Sequence, residues 1–581
     1  MNIDLGHFQS LPEGLFARCA RAPGGTIALQ RQDDVFQPMT AAAFAGHVRA
    51  RARGLLHLGV RRGERVILMA PNSVDWAIMD FAILSVGAIT VPLYPTFSPR
   101  EIHFVLGDSG AGLMLLEGAE EWQRLGGEGG WGVADDRILL RDATAAQNAG
   151  LRHWAALENE GATTIPDSGL EEHLAGLQRQ QTATIVYTSG TTGWPKGVML
   201  SHGNILSNIE GFLPLVPLHA GQRLLSILPL SHVFERGTGH FGAYLLGLEV
   251  AYAERPDTVL RDMATSHPNI VVAVPRVFQL LYGRVRRGIE DRPGLLGRFL
   301  RRGAGLDPQG RPAKRWQRSL TRRLLIRGLR RKLGGRLRFF VSGGAPLDAG
   351  ITRFFIDLGL PIVEGYGMTE ASPVIAANPL EAIRPGTVGR FLPNLEGRMA
   401  ADGEILVRGP SVMLGYWNNE SATGEALADG WLHTGDVGSL DPDGYLRISD
   451  RKKDLIVNSA GENIPPQKIE MRLMAQALIE QAVVFGDRMP YLVALIFPNQ
   501  EVLKARVGDH PDEAATRKAI HKAIATALAD LPSHEQVKRF ALLPEALSET
   551  NGALTPTLKV KRRVVAERYA ALLTQMGSGK G

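Results

Sequence analysis

The stretch "YTSGTTGWPKGVMLSH", Tyr187–His202, gathers five Ser/Thr hydroxyls and three glycines around a single lysine. Glycines let backbone N–H groups approach an anion closely, and Ser, Thr and Lys add further donors, so phosphate is the ligand this composition suits. The spacing is not that of a Walker loop, which needs four residues between its first Gly and a Gly-Lys-Ser/Thr; here Gly190, Gly193 and Gly197 bracket Trp194, Pro195 and Lys196 in another order. Upstream, "ATIVY" (Ala183–Tyr187) reads as a short buried strand. Downstream, "VMLSHGNILSNIEGFL" reads as a short strand running into a helix. The loop is therefore expected between two strands. A Gly/Ser/Thr cluster of this kind is otherwise a plain surface turn, a reading that the density of hydroxyls and the Pro-Lys-Gly ending disfavour.

Further stretches follow in order: "LPLSH" (Leu228–His232), "VSGGAPL" (Val341–Leu347), "EGYGMTEASP" (Glu364–Pro373), "GEILVRGPSVMLGYWN" (Gly403–Asn418), "HTGDVG" (His433–Gly438), "DRKKDLIVNSAGENIPPQKIE" (Asp450–Glu470) and "LTPTLKVKRR" (Leu554–Arg563). Together with the loop they resemble the adenylate-forming, AMP-binding superfamily of acyl-CoA synthetases, adenylation domains and luciferases. The resemblance runs from about Arg51 to about Arg563. It implies an α/β fold: a large N-terminal AMP-binding domain with parallel-rich sheets, residues 1–452, and a small mobile α+β C-terminal domain, residues 453–581, hinged at Lys453.

The implied chemistry is carboxylate activation. A carboxylate is a poor electrophile, so ATP first converts it to an acyl adenylate with loss of pyrophosphate, and catalysis rests on positioning and positive electrostatics. By resemblance Thr188, Ser189, Gly190, Thr191, Thr192, Gly193 and Lys196 hold phosphates, and Gly365, Tyr366, Gly367 and Met368 line the adenine site. Thr369 meets the α-phosphate and Glu370 is the magnesium ligand, a hard cation on triphosphate needing only one or two protein carboxylates. Asp436 accepts from the ribose hydroxyls with Arg451 beside it. His232 stands near the reacting carboxylate, and Phe234, Gly343, Gly344 and Ala345 belong to the acid site. Lys559 bridges carboxylate and α-phosphate oxygens; the residue before it, commonly Gly in the family, is Leu558, and Lys561 stands two places on. After adenylation the small domain turns about Lys453, withdrawing Lys559 and bringing the loop with Ser459, Gly461 and Glu462 to the adenylate for thiol attack by CoA. ATP, Mg2+ and CoA as co-substrate are thus implied. "DRKKD", "TPTLKVKRR" and "VPRVFQLLY" (Val274–Tyr282) followed by a basic insert resemble the long-chain fatty acyl-CoA synthetase branch. The alternatives are an acyl-AMP ligase loading a carrier protein, or a catalytically silent homologue that binds anionic membranes.

Composition is compatible with this. At 581 residues, 44% hydrophobic and 21% charged, the chain is ordinarily globular and long enough for two or more domains. Its one cysteine, Cys19, excludes an internal disulfide framework and suits a reducing compartment. "MNIDLGHFQSLPEGLF" has neither the basic nor the apolar part of a signal peptide, so a cytoplasmic location is expected. "WAIMDFAILSVGAITVPLY" (Trp76–Tyr94) has the length of a membrane span, but Asp80, Gly87 and Pro92 make it a buried helix followed by a buried strand.

The net charge of +6 is concentrated. Residues 284–336 carry 18 Lys+Arg against 3 Asp+Glu, a local +15 that leaves −9 for the rest. Within this insert, Arg315–Leu333 places Trp316, Leu320, Leu324, Leu325, Leu329 and Leu333 at helical spacing among arginines. Such a helix either packs its apolar stripe on its own domain or lies on an anionic membrane at the cytoplasmic face. No aromatic platform or nucleic-acid motif accompanies the charge, so no nucleic acid is expected. A homodimer is left open.

Overall fold

The strand Thr182–Thr188 and the strand Lys196–Ser201 pair antiparallel through Thr188↔Lys196 and Tyr187↔Gly197, so the loop between them is a hairpin connection, as expected. The computed structural model describes residues 5–32, 35–124, 126, 132–188, 194–254, 258–304, 312–459, 462–508, 512–555 and 559–577. Ser189, Gly190, Thr191, Thr192, Gly193 and Gly461 lie outside the described residues.

Among the described residues the hairpin belongs to an eight-stranded sheet whose central strands, Ile89–Pro92, Arg65–Met69, Leu113–Leu116 and Ile138–Leu140, run parallel. A nine-stranded sheet has a parallel centre too, formed by Glu249–Tyr252, Arg223–Ser226, Ile270–Ala273, Phe339–Ser342 and Ile362–Gly367. Strand periodicity sends alternate side chains to opposite faces. Val66 and Leu68 join a cluster shared with Leu224 and Val250 of the other sheet, whereas Ile67 and Met69 point the other way, to Ile102 and Val105. The helices Ala41–His57, Val74–Ser85 and His202–Phe212 supply the shared cluster from between the sheets. Strands covered on both faces by helices read as continuous apolar runs, which is why "RVILM" and "LMLL" show no alternation.

The apolar run at Trp76 is a helix followed by a strand, Val74–Ser85 and Ile89–Pro92, capped by Ser73, whose side chain accepts from Trp76 N–H. Every residue of that helix except Asp75 is buried, Asp80 included. Among the described residues no helix is long and apolar enough to cross a membrane.

Past the large sheets, Glu396–Met399, Glu404–Arg408, Leu432–Leu440 and Leu446–Arg451 form an antiparallel four-stranded sheet. Beyond it, Ile479–Phe485, Leu492–Pro498 and Val537–Leu542 form a three-stranded sheet with two apolar clusters drawn only from residues 456 onward. Ion pairs Arg276–Glu480 (2.8 Å) and Arg287–Glu501 (2.8 Å) tie the helix Pro275–Glu290 to this last part.

The six apolar positions of the basic helix, Arg315–Lys332, do not form one stripe. A turn of 3.6 residues advances 40° for every four positions. Trp316, Leu320 and Leu324 therefore make one row, and Leu325, Leu329 and Leu333 a second, about 180° around the helix from the first. Leu329 and Leu333 pack inward, but Trp316, Leu320 and Leu324 are 58%, 43% and 48% exposed.

Candidate active site

The turn Thr369–Ala371 follows the strand Ile362–Gly367, and the helix His202–Phe212 fixes it: Asn208 donates to Ala371 O (3.1 Å) and Val374 O (2.7 Å). Gly367 is required here, since a Cβ would stand 1.8 Å from Pro373 O. The turn leaves Thr369 half-buried and Glu370 buried. Tyr416 donates its hydroxyl to Glu370 Oε1 (2.8 Å), and Met413 N–H donates to the Glu370 carbonyl (2.8 Å).

Asp436, from the strand Leu432–Leu440, is opposite Arg451 in the antiparallel pair. Its Oδ1 lies 3.2 Å from Arg451 Nε, and its Oδ2 accepts from the Tyr366 hydroxyl at 2.7 Å. Burial pushes the Asp436 carboxyl upward, against the pull of Arg451 and Tyr366. The Tyr366 phenol is raised well above the usual range by burial and by Asp436. The Tyr366 phenol therefore stays neutral at neutral pH and donates to the Asp436 carboxyl.

Lys559, in the C-terminal part, lies within electrostatic range of Arg451, Asp436, Glu370 and His232. Its side chain keeps solvent contact. The surrounding protein, then Arg451, lower its pKa to about 8, with Asp436 and Glu370 opposing. His232 is held neutral, at about 3, by burial and then by Lys559; its Nδ1 accepts from Phe234 N–H at 3.2 Å. The tip of the Phe234 ring abuts Gly343, where a Cβ would come within 2.7 Å of it, while Gly344 (φ +82°) and Ala345 are exposed after the strand Phe339–Ser342.

Thr188 and Lys196 close the two ends of the hairpin. Lys196 Nζ sits 4.9 Å from the centroid of the Tyr416 ring. Gly365 and Met368 flank Tyr366 and Thr369 in the chain turn just described. Lys453 is exposed in the turn after Arg451. Ser459 and Glu462 are engaged elsewhere: Ser459 N–H donates to Met489 O (3.0 Å), and Glu462 takes Asn458 Nδ2 (2.7 Å) and His534 (3.3 Å). Among the described residues no hydrogen bond or ion pair joins them to the Glu370 and Asp436 group.

Two residues without a motif role stand behind the site. Tyr416 was legible only as part of "LGYWN"; its partner Glu370 is 46 positions away. Arg236 is buried and bidentate to Asp80 (2.6 and 3.0 Å), with Nη1 on Thr184 Oγ1 (2.5 Å) of the strand leading into the hairpin.

As to magnesium, Glu370 is a buried carboxylate with Oε2 free of protein hydrogen bonds among the described residues, and no cage of three or more His, Cys, Asp or Glu is found there. One carboxylate plus nucleotide oxygens is the donor set a triphosphate-bound magnesium takes, so the residues fit it.

The AMP-binding enzyme family profile matches residues 15–417, and the AMP-binding enzyme C-terminal domain profile matches residues 453–578. The chain is 39% identical to "Long-chain-fatty-acid--CoA ligase FadD15" of Mycobacterium bovis over 561 residues, covering 93% of this chain and 92% of that one. It is 30% identical to "Long chain acyl-CoA synthetase 7, peroxisomal" of Arabidopsis thaliana, covering 93% and 81%. In fold it matches the A domain of carboxylic acid reductase from Segniliparus rugosus, solved with AMP and a co-purified carboxylic acid, at TM-score 0.79 and 19% identity over 99% and 95% of the two chains. Profiles matching residues 15–417 and 453–578, with relatives 39% and 30% identical over 93% of the chain, show the family: the chain belongs to the AMP-binding enzyme family.

Proposed function

We propose that the chain activates a long-chain fatty acid and passes it to CoA. A carboxylate oxygen bonds to the α-phosphorus of ATP as the bond to the bridging oxygen breaks, giving acyl-AMP and pyrophosphate. The CoA sulfur then bonds to the acyl carbon and AMP leaves. The observations that carry this are the Tyr366–Asp436–Arg451 set (2.7 and 3.2 Å) and the Glu370–Tyr416–Lys196 set (2.8 and 4.9 Å), with Lys559 in electrostatic range of Asp436 and Glu370. Asp436 and Arg451 orient the ribose and Tyr366 the adenine. Glu370 would hold magnesium, which when bound neutralises triphosphate charge. Lys559, cationic below about pH 8, draws carboxylate and α-phosphate oxygens together, while the neutral His232 adds no competing charge. Thr188, the hairpin and Lys196 hold the outer phosphates. Residues 1–452 and 453–581 act as separate bodies pivoting at Lys453, so that Ser459 and Glu462 replace Lys559 at the adenylate for the second step. Phe234 against Gly343, with Gly344 and Ala345, borders the acid. The long-chain assignment is supported by the 39% identical relative named for that substrate and for CoA. All residues in this scheme lie on one chain, so it requires no dimer.

The test is pyrophosphate release with ATP and magnesium across a series of saturated acids, followed by CoA thiol consumption. A buried methylene contributes about 0.8 kcal/mol, so kcat/KM is expected to climb about fourfold per carbon until the acid fills its channel. A flat series, or a preference for aromatic acids, overturns the substrate class. Consumption of a carrier-protein thiol but not CoA overturns the acceptor.

We also propose reversible attachment to an anionic membrane, in keeping with a cytoplasmic enzyme whose substrate partitions into lipid. Beside the exposed row of Trp316, Leu320 and Leu324, the neighbouring helix Gly294–Gly303 exposes Leu295 (77%) and Leu296 (52%), and Phe299 touches Trp316 at 5.9 Å between rings. Residues 294–304 and 312–332 hold twelve Lys+Arg and no carboxylate, and among the described residues none of the twelve is in an ion pair. Arg330 is turned inward to Gly359 O (3.3 Å) and is not counted as a headgroup contact. Each near-surface arginine contributes roughly 1 kcal/mol. Changing Arg318, Arg323 and Arg327 to Gln is therefore expected to weaken sedimentation with phosphatidylglycerol vesicles by about 10²-fold while turnover on a soluble medium-chain acid holds. Equal binding of both proteins, or none by either at low salt, rejects attachment.

A further inference from the structure

Tyr416 has two contacts, on different parts of its side chain, that meet two different pieces of the proposed nucleotide site. The face of its ring lies under Lys196 Nζ, 4.9 Å from the centroid, a distance at which an ammonium is attracted to the aromatic quadrupole. Its hydroxyl donates to Glu370 Oε1 at 2.8 Å. The backbone holds the residue in this place from both sides. Strand Gly415–Tyr416 pairs antiparallel with Lys196–Ser201 through Tyr416↔Val198, with Trp417 N–H on Gly197 O (2.7 Å). Met413, three residues earlier, is bonded to the Glu370 carbonyl (2.8 Å). Tyr416 N–H itself donates to Thr423 Oγ1 (2.8 Å). The short edge strand is thus a strut between the root of the phosphate hairpin and the acidic turn.

We propose that Tyr416 is a positioning residue that sets Glu370 for magnesium and couples that carboxylate to Lys196: the hydroxyl occupies Oε1 and presents Oε2, while the ring supports the lysine. This deepens the nucleotide-site reading above and rests on Glu370 as the metal ligand. A hydrogen-bond partner of a ligating carboxylate typically tunes metal affinity by about 10- to 100-fold. Removing the hydroxyl alone should act on the metal, whereas removing the ring should act on metal and phosphate together.

The test uses no acid substrate, so it is independent of whether the acid is long-chain. ATP binding to the full-length protein is measured by calorimetry with and without Mg2+. Tyr416→Phe is expected to reduce the gain in ATP affinity due to Mg2+ by about 10-fold or more, with magnesium-free ATP affinity within about twofold of the parent. Tyr416→Leu should lower both. In a Glu370→Gln background, adding Tyr416→Phe should change nothing further, because the path runs through Glu370. An equal loss with and without Mg2+ in Tyr416→Phe overturns the proposal in favour of a packing role. So does an undiminished Tyr416→Phe effect in the Glu370→Gln background. If Glu370→Gln alone leaves the magnesium gain intact, the metal ligand lies elsewhere and the proposal falls with it, whatever acid the enzyme prefers.

Discussion

Lys559→Ala is expected to lower acyl-AMP formation by on the order of 10²–10³, the cost of removing one donor aimed at developing charge, and to leave thioester formation from supplied acyl-AMP near the parent rate. The split follows from where the lysine comes from. Lys559 belongs to the C-terminal part and lies within electrostatic range of Asp436, Glu370 and His232, so under the proposed mechanism it serves the arrangement in which that part is closed over the nucleotide. Its pH signature separates it from a structural role. The surrounding protein and then Arg451 lower the ammonium to about 8; the cation is present below that value and lost as pH rises through it. The basic limb of kcat/KM, which reports the free enzyme, is expected near pH 8, and the limb of kcat higher, because bound triphosphate favours the cation. Lys559→Arg should abolish this limb. Equal loss of both half-reactions in Lys559→Ala, or an unmoved basic limb in Lys559→Arg, assigns the step to another group.

The largest stability loss is expected from Asp80→Ala. Asp80 is buried in the middle of a helix, and three groups make four bonds to it: Arg236 with two, His240 Nε2 at 3.2 Å and Thr90 Oγ1 at 2.7 Å. Burial alone would raise its pKa; Arg236 and His240 outweigh that and hold it down, to about 2. Removing one partner of such a pair leaves the other charge without compensation, at a cost of about 3–5 kcal/mol. Thermal unfolding of Asp80→Ala should begin well below that of the parent, with adenylation weakened in the surviving fraction because Arg236 also braces Thr184 beneath the hairpin. Adding Arg236→Met should recover part of the loss, since two apolar side chains can replace a buried pair at little cost. A double variant no more stable than Asp80→Ala would show that the network's value lies in its hydrogen bonds to Thr184 and His240 rather than in the charge pair.

Much of the molecule was legible in residue order. "ATIVY", the hairpin and "VMLSHG" are a local pattern: apolar, then donor-rich and glycine-dense, then apolar again, and the backbone follows it because strand pairing across a tight loop involves near neighbours only. Asp80, Gly87 and Pro92 marked Trp76–Tyr94 as a buried helix and strand for an equally local reason: a charge, a turn former and a helix breaker placed at the wrong intervals for a span. The motifs at Glu370, Asp436 and Arg451 named candidate site residues but not their contacts.

What only the tertiary structure decided is which group answers which. Asp80 finds Arg236 at a separation of 156 residues, and Tyr366 finds Asp436 at 70. The same holds for Tyr416 and Glu370, whose contact no spacing rule anticipates. The basic helix makes the point in a different way. Its periodicity announced an amphipathic helix, yet a helical repeat states only that positions share a side, not what lies beside them. Whether Leu329 or Leu324 is the buried one depends on where the nine-stranded sheet and its helices end, and those surfaces are assembled from residues throughout the chain. Sequence determined the local conformations and the inventory of chemistry, because both depend on neighbours within a turn or a strand. Burial, charge pairing and the orientation of each functional group were left to tertiary packing, because a buried polar atom must be satisfied by whatever the fold brings within about 3 Å of it.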